Sequence, residues 1–223
     1  MKAREVNIPL GQTELEGELS APEHAGGLVV FVHGSGSSRF SPRNQFVAGV
    51  LQRAGLGTLL FDLLTEREEE EERYTRHLRF DIPFLARRLA EATRWVRQQP
   101  EARQLRLGYF GSSTGAAAAL IAAAELGEAI GAVVSRGGRP DLAAPVLDRV
   151  RAPTLLLVGG QDMEVLELNR QALDRLHCEK ELRVIPGATH LFEEPGTLQG
   201  AAQTARDWFT RHLTSSTEAA ARP

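Results

Sequence analysis

Short apolar runs recur along the chain, and most are followed by a longer segment in which apolar residues return every three or four positions. The runs at residues 28–32, 58–61, 105–110, 132–134, 154–158 and 182–185 are mostly apolar on consecutive positions rather than alternating. That pattern predicts strands covered by helices on both faces. The helical period appears in residues 44–53, 82–98, 114–126, 142–149, 165–176 and 201–213. Strand and helix in alternation predict an α/β fold with a mostly parallel central sheet and helices on both faces. Residues 6–9 and 14–19, on either side of Gly11, predict a hairpin on the sheet edge. The expected organisation is a single domain over residues 1–213 followed by a small, polar, flexible tail over 214–223.

One segment interrupts this order. Residues 66–73 are nearly all acidic, and like charges so close repel when packed. They are expected to form a solvated loop or a fraying helix. Consecutive glutamates point in different directions, so they make no metal cage.

Composition narrows the function classes. With 223 residues, 42% of them hydrophobic, the chain can build one large core. Its 26 Lys+Arg against 29 Asp+Glu give a net charge of −3, too mild to attract nucleic acid or an anionic membrane surface. Cys178 is the only cysteine, which excludes an internal disulfide and any zinc site built from several thiolates. It is expected to serve as a small hydrophobe. The first residues mix charged and apolar types without an export-type stretch, and no run approaches the roughly 20 apolar residues that span a bilayer. A cytoplasmic protein that needs no metal or cofactor and acts on a small molecule is the expectation. The sequence leaves a homo-oligomer open.

The chemistry concentrates where the apolar run ending at Phe110 meets Gly111-Ser112-Ser113-Thr114-Gly115 and an alanine-rich helix. Strand, G-x-S-x-G, helix is the context of a nucleophile elbow, whose tight turn leaves no room for side chains two residues before and after the serine. Register selects Ser113, because Ser112 would have Phe110 and Thr114 at those positions. A serine hydroxyl needs a base, and the base needs an orienting group. The strand at 154–158 runs into Gly159-Gly160-Gln161-Asp162, and the strand at 182–185 runs into Pro186-Gly187-Ala188-Thr189-His190. Asp162 and His190 thus follow Ser113 in the order acid, then base. Taken singly, Asp162 also reads as a helix N-cap and His190 as an ordinary loop histidine. Two donors are needed for a developing oxyanion. The backbone N–H of Thr114 is one, and the loop His33-Gly34-Ser35-Gly36-Ser37-Ser38 supplies the other, from Ser35 first and Gly36 second. His33 is expected to brace that loop. A phosphate-loop reading fails, because Arg39 stands where a third glycine belongs and no P-loop lysine follows.

With HGSGSS, GSSTG, GGQD and GATH in place, the chain resembles the α/β-hydrolase superfamily from about Leu28 to about Thr210. Within it, the sequence is most similar to small dienelactone-hydrolase-like serine esterases. The resemblance implies an α/β-hydrolase fold, with Ser113 as nucleophile, Asp162 as acid and His190 as base. Dienelactone hydrolases proper carry cysteine at the elbow, and serine here moves the expected substrate toward general carboxylic esters. Thioester or lactone hydrolysis shares the chemistry, and a non-catalytic binding module on the same fold is the competing class.

Two further expectations concern substrate. Between Ser135 and Ala152 there is space for only one short helix, so no cap domain is expected, and short acyl chains should be preferred. Arg136, supported by Arg139 in a glycine-rich segment beyond the strand at 132–134, is expected to bind an anionic group on the substrate, with pairing to a carboxylate such as Asp141 or Asp162, or plain exposure to water, as the alternative.

Overall fold

The computed structural model describes residues 3–214, so the predicted tail over 214–223 lies almost wholly outside the described residues. Eight strands form the sheet: β1 (Arg4–Leu10), β2 (Thr13–Ser20), β3 (Leu28–Val32), β4 (Gly57–Phe61), β5 (Leu107–Ser112), β6 (Ile130–Arg136), β7 (Thr154–Gly159) and β8 (Lys180–Ile185). Their order is β1-β2-β4-β3-β5-β6-β7-β8. β3 to β8 run parallel, while β2 is antiparallel to both β1 and β4. The predicted hairpin therefore stands at one edge. β8 closes the other edge with Lys180, Glu181 and Arg183, charged residues that discourage pairing with a further strand.

Six α-helices are described: α1 (Pro42–Arg53), α2 (Glu66–Thr75), α3 (Ile82–Val96), α4 (Thr114–Leu126), α5 (Met163–Arg175) and α6 (Thr197–Leu213). One core layer joins Val30, Val32 and Tyr109 of the sheet to Leu85 and Leu89 of α3 and the alanines of α4. The opposite layer joins Val29, Phe31 and Phe110 to Val47 and Leu51 of α1 and Trp208 and Phe209 of α6. The central strands are buried on both faces, which is why they read as continuous apolar runs. Among the described residues, no helix is long and apolar enough to cross a membrane.

Several limits differ from the sequence expectation. The strand expected at 105–110 starts two residues later, because the Leu105 N–H closes a turn on the Ala102 carbonyl. It extends through Gly111 and Ser112, which pair with Ser135 and Arg136 of β6. The helix expected at 142–149 is a 3-10 helix over Pro140–Arg149. Pro145 lies inside it, and a proline there removes a backbone donor and obstructs α-helical bonding.

The acidic segment is the larger correction. It is neither a loop nor frayed, but the ten-residue helix α2. Thr65 and Glu68 form a reciprocal capping box at its start, with the Glu68 carboxylate accepting from the Thr65 N–H at 2.8 Å. Helical spacing turns Glu68 and Glu72 toward the body of the protein, where arginines from outside the segment wait for them. Arg88 of α3 grips Glu68 with two bonds of 2.6 and 2.7 Å. Glu72 is 1% exposed, and its carboxylate accepts from the Thr75 hydroxyl, the N–H groups of His77, Leu78 and Arg79, and the Arg79 guanidinium.

Burial pushes the Glu72 carboxyl up, but the Leu78 and Arg79 N–H donors, the Thr75 hydroxyl and the Arg79 guanidinium outweigh it and hold the group at about 2. A carboxyl depressed from 4.5 stabilises the fold above that value, and the contribution is lost as pH falls toward about 2. Chemical denaturation between about pH 5 and about pH 2 should show the parent losing roughly 2–3 kcal/mol more than Glu72→Gln. Parallel losses in both proteins would remove Glu72 as the cause.

Candidate active site

Ser113 links β5 to α4 with φ 50° and ψ −123°, a backbone region that costs a non-glycine residue about 1–3 kcal/mol. The surroundings hold it there. Its N–H donates to the Arg136 carbonyl at 3.2 Å, and its carbonyl accepts from the N–H groups of Ala116 and Arg139, each at 3.1 Å. The flanking glycines are required by contact. A Cβ on Gly111 would stand 2.5 Å from Ala116 Cα, and one on Gly115 would stand 2.3 Å from the Val32 carbonyl oxygen. Ser112, by contrast, is buried, donating to Asn44 Oδ1 at 3.2 Å and accepting from Arg136 Nη2 at 3.0 Å. The register argument for Ser113 therefore has a steric basis.

Asp162 stands at the N-cap position of α5, yet its side chain makes no capping bond. Its Oδ2 instead lies 2.6 Å from His190 Nδ1. The loop bearing His190 is tied to the β7 turn by backbone bonds from Gly160 N–H to Ile185 and from Gln161 N–H to Ala188, both 2.9 Å. The His190 ring reaches the end of β6, where its Cε1 would be 3.6 Å from a Cβ on Gly137. Gly137 follows Arg136, whose carbonyl holds the Ser113 N–H, so His190 and Ser113 border the same point at the C-terminal end of the sheet. Among the described residues, no direct hydrogen bond joins Ser113 Oγ to His190.

The loop after β3 is fixed from three sides. His33 is buried and neutral: burial lowers its pKa, its Nδ1 lies 3.0 Å from the Gly34 carbonyl, and its Nε2 accepts from the Leu63 N–H at 3.0 Å. That pairing requires the proton on Nδ1. Asp62 accepts from the Arg39 N–H at 2.7 Å and pairs with the Arg39 guanidinium. The Ser35 N–H, expected to face the substrate, donates to Thr114 Oγ1 at 2.9 Å. Both expected donor residues thus meet beside the elbow, but the Ser35 N–H is already engaged. Gly36 adopts φ 71° and lies on a narrow cleft with Gly34, Ser35, Leu63, Leu64 and Arg79. These leucines and Arg79 were not singled out by sequence reasoning. The signal was their position after β4, at the same end of the sheet as the elbow.

Arg136 and Arg139 do not form the anion grip expected from sequence. The Arg139 guanidinium spends two bonds, 2.8 and 2.7 Å, on Asp141. Arg136 is 7% exposed and pairs with no carboxylate among the described residues. It lies over the rings of Phe192 and Phe110, with Cζ 5.6 and 6.0 Å from their centroids. Burial, with Arg43 adding repulsion, lowers its pKa to about 10, so it remains a cation at neutral pH. Asn44, which completes the Ser112–Arg136 network, carries no motif and was not predicted.

The chain as a whole resembles known proteins. Residues 45–215 match the model of the dienelactone hydrolase family. A crystal structure of dienelactone hydrolase from Anabaena variabilis superposes with a TM-score of 0.94 at 56% identity, covering 95% of this chain and 98% of that one. Est1E from Butyrivibrio proteoclasticus shares the fold, with a TM-score of 0.79 at 15% identity over 93% of this chain and 98% of that one. A curated relative from Mycobacterium tuberculosis (strain H37Rv), named as a phosphoribosyl transferase, is 54% identical over 213 residues. The match takes in 96% of this chain but 47% of that protein, so the chain spans about half the length of the curated relatives it matches. The chain belongs to the dienelactone hydrolase family and has the α/β-hydrolase fold.

Proposed function

We propose that this chain hydrolyses small carboxylic esters through an acyl-enzyme on Ser113. The observation that carries the reading is the 2.6 Å contact between Asp162 Oδ2 and His190 Nδ1, made by an aspartate that forgoes the cap its position offers. With Nδ1–H donated to the carboxylate, Nε2 is left as the basic nitrogen. Ser113 Oγ attacks the ester carbonyl as His190 Nε2 takes its proton, and the carbonyl electron pair moves onto oxygen. Collapse of the tetrahedral intermediate expels the alkoxide, which receives the proton from His190. Water, activated by the same nitrogen, then cleaves the acyl-enzyme. The Thr114 N–H, at the start of α4, faces a developing oxyanion with the positive end of the helix dipole behind it.

Membership of the dienelactone hydrolase family favours lactones as a second substrate class, opened by the same steps. The name phosphoribosyl transferase belongs to relatives whose other half this chain does not match.

Ser113→Ala should lower kcat on 4-nitrophenyl acetate by roughly a thousandfold or more and abolish labelling by a fluorophosphonate. Ser112→Ala should keep most of the activity while losing about 1–3 kcal/mol of stability, since Arg136 then loses its bond to the hydroxyl. Equal loss of activity in the two variants would move the nucleophile away from Ser113. Between β6 and β7 stands one short 3-10 helix in place of a cap, and each methylene left unburied forgoes about 0.8 kcal/mol. Butyrate esters should accordingly give higher kcat/KM than laurate esters, and the reverse order would refute a short-chain site.

A further inference from the structure

We infer that the side-chain hydroxyl of Thr114 is itself a donor to the oxyanion and carries the influence of the Ser35 N–H to it. The inference rests on the reading of Ser113 as nucleophile and adds a catalytic group to it. A hydroxyl has one hydrogen to donate and two lone pairs to accept with. In Thr114 one lone pair accepts the Ser35 N–H at 2.9 Å. The hydroxyl hydrogen meets no acceptor among the described residues, although the residue is only 6% exposed. A buried donor without a protein acceptor, on the residue after the nucleophile, is available to an incoming oxygen. The site is also close to the reacting atoms, since a Cβ on Gly34, the neighbour of Ser35, would stand 3.1 Å from Ser113 Cβ.

Two donors then come from one residue. The Thr114 N–H is an unpaired first-turn donor of α4, and the hydroxyl stands beside it. The Ser35 N–H acts through the hydroxyl, because a group that accepts one hydrogen bond donates a stronger one. No proton changes hands at Thr114: the proton from Ser113 moves to His190, the carbonyl electron pair localises on oxygen, and the hydroxyl hydrogen bonds to that oxygen until collapse. The bond from Ser35 also fixes the hydroxyl before substrate arrives, so little reorganisation is needed as charge develops.

The opposite reading gives opposite numbers. If the hydroxyl only occupies a Ser35 N–H that should face substrate directly, removing it would free that donor and raise the rate. Thr114→Val keeps the shape and the backbone N–H while deleting the hydroxyl, and Thr114→Ala deletes it without adding bulk elsewhere. On 4-nitrophenyl acetate both should lower kcat by about 10- to 100-fold, with KM changed by less than about threefold. Both should weaken a trifluoromethyl ketone, which forms an oxyanion on Ser113, by about the same factor as kcat/KM falls. Thr114→Ser should stay within about threefold of the parent in every measurement. A kcat equal to or above the parent in the Val and Ala variants overturns the inference, as does a Ser variant as impaired as they are. Ser113→Ala, run alongside, separates the two levels: turnover surviving in that variant would sink the esterase reading itself, whereas its loss together with unaffected Thr114 variants would sink only the hydroxyl.

Discussion

The structure depends on the close approach of α4 to the end of β3 and to the end of β5. Val32 carries its carbonyl to within 2.3 Å of where a Cβ on Gly115 would be, and Gly111 admits Ala116 at 2.5 Å on the same terms. Only residues without side chains allow that contact, and the contact turns the chain so sharply that Ser113 must take φ 50°. The strain is met by three backbone bonds at Ser113 and by a helix whose small residues are buried in the same core as residues of β3, β5 and β6. In return the serine stands at the end of the sheet with the first N–H groups of α4 beside it. Loosening the packing would let the turn relax, and the hydroxyl would leave the end of the sheet.

Around that point the loops are held by polar contacts of a different kind. His33, kept neutral by burial, joins the β3 loop to Leu63 after β4. Asp62 draws the same loop in through Arg39, and Thr114 anchors Ser35 to α4. The acidic helix α2 lies on the side of this assembly. Its outward glutamates are solvated, while Glu68 and Glu72 are consumed by Arg88, Arg79 and backbone donors. The segment thus forms one wall of the cleft next to Gly36, with apolar Leu63 and Leu64 inside it.

Arg136 shows how close the site's support comes to an electrostatic penalty. A buried guanidinium without a carboxylate keeps its charge at a cost, which the aromatic faces of Phe110 and Phe192 and the Ser112 hydroxyl offset only in part. Two of its nitrogens, Nε and Nη1, make no hydrogen bond among the described residues. Its contacts nonetheless bridge the strand that delivers Ser113 and the loop that delivers His190, since Phe192 follows that histidine by two residues and itself has φ 56°.

The sequence alone determined the layered α/β fold, because strands buried on both faces must be continuously apolar and helices must show their period. It also singled out Ser113, because steric demands for glycine are local and so can be read from neighbours two residues away. Asp162 and His190 were legible as chain order after particular strands. Their contact at 2.6 Å was not, for it joins residues on separate loops. The roles of Glu72, Arg136 and the Thr114 hydroxyl were likewise hidden. Each depends on partners outside its own segment: Arg79 and the turn at Leu78 for Glu72, Ser112 and Phe192 for Arg136, and Ser35 for Thr114. Local pattern records what a residue requires of its nearest neighbours in the chain. Only the tertiary structure decides which distant group answers a buried charge or an unpaired donor, because that pairing is set when the layers close and water is excluded between them.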